Sequence, residues 1–95
     1  MKEDPKTKKQ ELTELYEALV SIDNVEDCRY FLDDLLTVEE LNSLSSRLHA
    51  AKLLIAGETY QDVTKETKIS SATLARVNRC LKEGKGYNRV LRKKN

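Results

Sequence analysis

The fold is decided by residues 59–82, TYQDVTKETKISSATLARVNRCLK. Thr59 can cap a helix of about two turns over Tyr60–Thr67, and Ser70 or Ser71 can cap a further helix over Ala72–Lys82. The short link between them centres on Lys68-Ile69. Two short capped helices joined by about four residues predict a helix-turn-helix motif.

The second helix of this motif has one apolar face. Leu74, Val77 and Leu81 fall within about 60° of each other on a helical wheel. We expect this face to pack against the first helix and the link, where Val63 and Ile69 are the apolar residues.

The opposite face has the composition of a surface that binds DNA. A recognition helix lies in the major groove with its N-terminal residues nearest to the base edges. Arginines bind guanine edges or phosphates, and short hydroxyls at a helix N-terminus bind phosphates. Lysines add attraction that does not depend on sequence. The candidate DNA-binding residues are Tyr60, Gln61, Lys65, Lys68, Ser70, Ser71, Ala72, Thr73, Arg76 and Arg79.

The predicted turn departs from the usual pattern at two positions. Such motifs commonly have Gly where this chain has Lys68, and Ala where it has Thr64. A non-Gly residue in a left-handed turn costs roughly 1 kcal/mol. The spacing alone therefore leaves open whether the turn is built differently or tolerates that cost.

Charge is distributed unevenly along the chain, although the formal net charge is only +1. Residues 1–41 carry 5 Lys/Arg and 12 Asp/Glu, a balance of −7, whereas residues 42–95 carry 12 and 4, a balance of +8. A basic second half of this kind favours a polyanionic partner.

Helical periodicity extends outward from the motif in both directions. It predicts a first helix from about Lys6 to Val20, a second apolar stripe beginning at Val25, and a short basic segment over Tyr87–Lys94. The fold class is therefore all-α. We expect residues 1–57 to be dimerisation helices, 59–82 the helix-turn-helix, and 83–95 a C-terminal basic helix or tail.

A third helix should run from a capping box at Thr37 to about Ala56, with Gly57 as the residue that ends it. This helix is apolar on more than one face, which indicates burial on more than one face. A chain of 95 residues has few other elements to cover it, so we expect a second subunit to do so.

Composition excludes several classes of protein. Leu, Ile, Val and Phe make up 24 of the 95 residues, which is enough for a core. No apolar run reaches membrane-span length and no signal peptide begins the chain, so we expect a cytoplasmic protein without membrane contact. Cys28 and Cys80 lack metal-site spacing, and we expect two partly buried thiols and no metal.

Several short segments between about Phe31 and Leu91 match a known family, some before the predicted motif and some within it. They are Leu35-Leu36-Thr37 before an acidic pair, Arg47, Leu53-Leu54, Gly57-Glu58, Gln61, Ala72-Thr73-Leu74-Ala75-Arg76 and the run Arg76-Val-Asn-Arg-Cys-Leu81. In these segments the chain resembles the tryptophan-repressor superfamily, and the last run is similar to that of a branch of small bacterial repressor-like proteins.

The resemblance implies an intertwined all-helical homodimer with six helices per chain. It implies two helix-turn-helix readers on a palindromic operator in double-stranded DNA, with half-sites roughly 34–36 Å apart. The expected function is a sequence-specific transcriptional regulator, and the lack of a visible activation or sensor domain favours a repressor.

The resemblance also implies an effector pocket formed by Thr37, Arg47, Arg76, Val77 and Cys80. In the repressor itself, tryptophan lies between two arginines, beside a glycine and a serine. Those two positions are Val77 and Cys80 here. Because the valine methyls would fill the space of the indole, at a typical overpacking cost of about 1–3 kcal/mol, we do not expect tryptophan to be the ligand. The expectation is no cofactor, with another small effector left open.

Two other classes of function stay open. Chorismate mutases are small intertwined helical dimers of suitable length, but their site needs converging cations and the first helix here has lysines only at its start. His49, the sole histidine, lies away from the main stripe of its helix, so we expect no catalytic residue. A protein-binding adaptor, docking a partner through its acidic first half, is the remaining alternative.

Overall fold

Six helices and no strand form residues 5–92, the part of the chain that a computed structural model describes. The all-α prediction is confirmed. The helices are α1 (Pro5–Ser21), α2 (Val25–Leu35), α3 (Val38–Ile55), α4 (Tyr60–Thr67), α5 (Ser71–Glu83) and α6 (Gly86–Leu91).

Side-chain caps fix the starts of three of these helices. The side chains of Asn24, Thr59 and Ser70 each accept a hydrogen bond from the backbone N–H three residues further on, at 2.8, 3.2 and 3.1 Å. Each bond satisfies one of the four N–H groups that a helix start leaves without an intrahelical acceptor. Of the two serines considered above, Ser70 is therefore the cap of α5.

Gly57 ends α3, as predicted. It has a left-handed backbone with φ of +95°. The N–H of Gly57 donates to the carbonyl of Leu54, and that of Glu58 to the carbonyl of Leu53, both at 3.0 Å. This pair of bonds is the Schellman arrangement, which satisfies carbonyl groups at a helix C-terminus.

The chain consists of two compact units. The first runs to Thr37 and contains α1 and α2, in which no described residue is buried. The second begins at Val38, and in it α3 packs against both α4 and α5, while α5 also contacts α6. The core described below belongs to this second unit.

Two adjacent alanines on α3 form the centre of that core. Ala50 and Ala51 are completely buried. Ala50 packs in one cluster with Val63 and Leu74, and Ala51 in another with Val77 and Leu81. Because an alanine side chain is a single methyl group, α4 and α5 can approach the α3 backbone closely here. Around them pack the half-buried Leu53, Leu54, Ile55, Ile69, Tyr87 and Leu91.

The turn between α5 and α6 is held by Gly84 and Asn88. The Gly84 N–H donates to the Cys80 carbonyl at 2.8 Å. The Asn88 side-chain amide donates to the carbonyls of Leu81 at 2.8 Å and Gly84 at 3.1 Å. A Cβ added to Gly84 would lie 2.8 Å from the Cys80 carbonyl oxygen, closer than such contacts occur. A glycine is therefore required at the end of α5.

Gly84→Ala is expected to lower the free energy of unfolding by about 1–3 kcal/mol, since the backbone must shift to relieve the clash. Gly86→Ala is the matched control, because a Cβ there meets no atom within 4 Å. That change should raise stability by about 0.4–1 kcal/mol through a less flexible unfolded chain. Urea unfolding of both variants measures the difference, and equal effects would contradict this description of the turn.

Candidate nucleic-acid interface

The helix pair α4–α5 is joined through a left-handed residue. Lys68 has φ of 60° and ψ of 19°, and its N–H donates to the Thr64 carbonyl at 2.8 Å. The Thr67 hydroxyl donates to the Val63 carbonyl at 2.7 Å, and Ile69 packs against the core. The sequence left open whether the turn has a different backbone or tolerates a left-handed lysine. The structure has the left-handed turn, with Lys68 in the place where glycine is usual.

One face of α5 is buried and the other is exposed. Leu74, Val77 and Leu81 are 1, 2 and 9% exposed, so the predicted inner face is confirmed. The exposed residues of α5 on the opposite face are Ala72, Ala75, Arg76 and Arg79. Because Ala72 and Ala75 are small, they would not prevent this face of α5 from approaching a binding partner closely, while the two arginines can extend toward it.

Three of the four residues at the N-terminal end of α5 carry a hydroxyl group, namely Ser70, Ser71 and Thr73. The Ser70 hydroxyl accepts from the Thr73 N–H and donates to the Thr73 hydroxyl at 2.9 Å. These two side chains are therefore fixed by each other. Ser71 is exposed at the first helical position. The remaining candidate residues are exposed, except Thr73, which is half-buried.

The α4–α5 pair carries a positive charge. Residues 59–82 contain five Lys/Arg and two acidic residues, Asp62 and Glu66, so their net charge is +3. Glu66 lies 2.8 Å from Nε2 of His49 on α3, which occupies one of those two carboxylates. Both partners are about half exposed, so this contact contributes little to stability.

The residues of the implied effector pocket differ in environment. Val77 is buried against Ala51 and Leu81, which places its methyls within the core. The Arg47 guanidinium donates to the carbonyl and hydroxyl oxygens of Ser43 on its own helix, both at 3.4 Å. Arg76 is exposed, Cys80 is half-buried, and Thr37 lies in the first unit, directly before α3.

Cys80 lines an apolar groove of about 440 Å³ in the second unit. Both cysteines are free and half-buried, which confirms the prediction for the thiols. The groove is open, and it continues the exposed apolar surface of α3 at Leu48. Its other lining residues are Gly84, Gly86, Tyr87, Val90 and Leu91.

Sequence reasoning missed two polar contacts of this unit. The His49–Glu66 pair joins residues 17 positions apart on different helices. The Asn88 side chain reaches back seven positions to Leu81. In each pair the two residues lie on different helices, so the periodicity within one helix contained no signal for them. Only the packing of α4 on α3 and of α6 on α5 brings the groups together.

A sequence profile of the family described as "Trp repressor protein" matches residues 10–95. This chain belongs to the Trp repressor family. The match includes all six helices except the start of α1, so it covers both the helix-turn-helix and the helices before it.

One curated protein is similar to this chain in sequence, and two solved structures are similar to it in both sequence and fold. The uncharacterized protein YerC of Bacillus subtilis (strain 168) is 42% identical over 79 residues, which are 83% of this chain and 76% of YerC. A candidate Trp repressor from Staphylococcus aureus is 38% identical, with a TM-score of 0.77 over 90% of this chain and 91% of its own. A TrpR-like protein from Eubacterium eligens ATCC 27750 is also 38% identical, with a TM-score of 0.83 over 94% and 93%.

Residues 5–92 of this Trp repressor family member contain neither a membrane-spanning helix nor a cluster of metal ligands. That range has no helix long and apolar enough to cross a bilayer. It also has no group of three or more His, Cys, Asp or Glu side chains placed to hold a metal ion.

Proposed function

We propose that this chain is a cytoplasmic, non-enzymatic transcriptional regulator that binds a palindromic operator as a homodimer and represses by occupying it. The observation that carries the proposal is the division of α5 into a buried face and an exposed face with two arginines and two alanines. Membership of the Trp repressor family supports the same function.

In this proposal α5 enters the major groove and α4 lies across the phosphate backbone. Arg76 and Arg79 contact base edges or phosphates, and Ala72 permits close approach. The N-terminus of α5 offers hydroxyl and N–H groups to phosphate oxygens. The complete proposed set is Tyr60, Gln61, Lys65, Lys68, Ser70, Ser71, Ala72, Thr73, Arg76 and Arg79.

We further propose that tryptophan is not the corepressor. The argument rests on Val77, which stands where the repressor has a glycine beside the indole and whose side chain is part of the core. Making room for an indole requires moving it away from Ala51 and Leu81. Arg47 is bonded along its own helix, so it too would have to change rotamer to flank a ligand.

A homodimer is proposed because apolar side chains of both units are exposed. On α3, Leu44 and Leu48 are 45 and 43% exposed. A second copy would cover these side chains and reduce their contact with water. The exposed apolar residues of the first unit are Leu12, Tyr16, Leu19, Val20, Val25, Tyr30 and Leu35.

Arg76→Ala should weaken specific DNA binding by about 1–3 kcal/mol if Arg76 reads a base edge, because the change removes the guanidinium that would form a bidentate pair with guanine. The exposed position predicts unchanged thermal unfolding. The probe is the duplex that the parent protein enriches from a random library. Arg29→Ala is the matched control, since it removes the same charge from exposed α2, where the guanidinium lies over the Tyr30 ring.

If Arg76→Ala binds that duplex as tightly as the parent, the assignment of α5 as the reader is wrong. If both variants weaken binding equally, charge alone accounts for the effect and base reading by Arg76 is contradicted. Specific binding that hardly responds to salt would favour the adaptor alternative, whose acidic first half docks a protein.

Leu44→Glu should shift the protein from dimer toward monomer, since a carboxylate cannot be buried without a partner in an apolar interface. Ser45→Glu adds the same charge one residue further along α3, at an exposed polar position, and should leave the dimer intact. Sedimentation equilibrium measures the mass of each variant. A monomeric parent, or equal dimerisation of both variants, would contradict the proposed interface.

A further inference from the structure

Lys68 occupies a backbone conformation that suits other residues better. Within residues 5–92 it is the one non-glycine residue with positive φ. For L-residues this region brings Cβ close to the following carbonyl oxygen, a clash that glycine lacks and that asparagine tolerates better than lysine does. A lysine here makes the turn less stable than a glycine would.

The turn does not need the lysine side chain. The N–H of Lys68 closes α4 on the Thr64 carbonyl, a bond that any residue except proline can make. The residues on either side anchor the turn, Thr67 through its hydroxyl bond to the Val63 carbonyl and Ile69 through its packing on the core. Lys68 itself is exposed, so it adds no burial.

The charge of Lys68 is also not used inside the described chain. No ion pair or side-chain hydrogen bond of Lys68 is present within residues 5–92. The acidic residue nearest to it along the chain, Glu66, is bonded to His49 at 2.8 Å. Lys65, three residues earlier, adds a like charge. The ammonium group is therefore available to a partner outside the chain.

We propose that Lys68 is a phosphate-binding residue of the DNA interface and that its charge is kept in the left-handed turn at the expense of stability. This inference rests on the proposed function. Lys68 lies two residues before Ser70, the cap of the helix proposed to read DNA, so the residue is next to the end of α5 that approaches the duplex. A cation on a solvated loop there gains its binding energy from counterion release.

The test separates stability from binding in three variants. Lys68→Gly and Lys68→Asn lower the energetic cost of the left-handed backbone and remove the positive charge. Lys68→Arg retains that cost and the charge. The two neutral variants should raise Tm, Lys68→Gly by about 2–5 °C. Binding is measured on a duplex of random sequence between about 50 and 200 mM salt. The slope of log K against log salt should become shallower by about 0.9 for each phosphate that the protein no longer neutralises, or about 1.8 for a dimer.

Lys68→Arg should keep the parent slope. Lys52→Gln is the matched control for removal of one exposed charge, on α3 of the same unit, and should also leave the slope unchanged. The inference is overturned if the neutral variants keep the parent slope or if Lys68→Gly does not raise Tm. It is also overturned if Lys52→Gln makes the slope shallower by the same amount as the neutral variants do. If the parent itself does not bind the duplex at low salt, the proposed function fails and this inference fails with it.

Discussion

The arrangement of the second unit depends on the close packing of α4 and α5 against two adjacent alanines of α3. Ala50 and Ala51 are wholly buried, and each packs against a separate cluster of larger residues from the helix-turn-helix. A larger side chain at either position would push α4 or α5 outward, since a close-packed core has no space to absorb it. The close approach of α4 and α5 to α3 therefore depends on two methyl groups.

This packing divides α5 between stability and recognition. Its apolar side chains are taken up by the core, which leaves the arginines and alanines of the opposite face in water. The same packing places Val77 inside the core, where the repressor that gives the family its name has a glycine beside its ligand. We propose that Val77, which belongs to the core, also fills the space in which a tryptophan ligand would bind.

Most of the fold could be predicted from the sequence, because helix periodicity, caps and Gly57 are local signals, and of the candidate site the buried face of α5 could be predicted in the same way. The bounds of α4 were predicted to the residue, and α5 differs from its prediction by one residue at each end. The sequence could not decide the form of the turn at Lys68, because this form depends on whether the packing of Ile69 on the core offsets the cost of a left-handed lysine. The long-range contacts of His49 and Asn88 depend on how helices pack, which no local pattern encodes.

The most direct test of DNA reading by α5 is a selection of binding sites from a random double-stranded library at about 150 mM salt, with and without tryptophan. We predict the same palindrome in both arms, with half-site centres about 10–10.5 base pairs apart. Enrichment only when tryptophan is added would contradict the interpretation of Val77 as closing the ligand site. No enrichment in either arm would contradict the proposal that α5 reads DNA without a further effector.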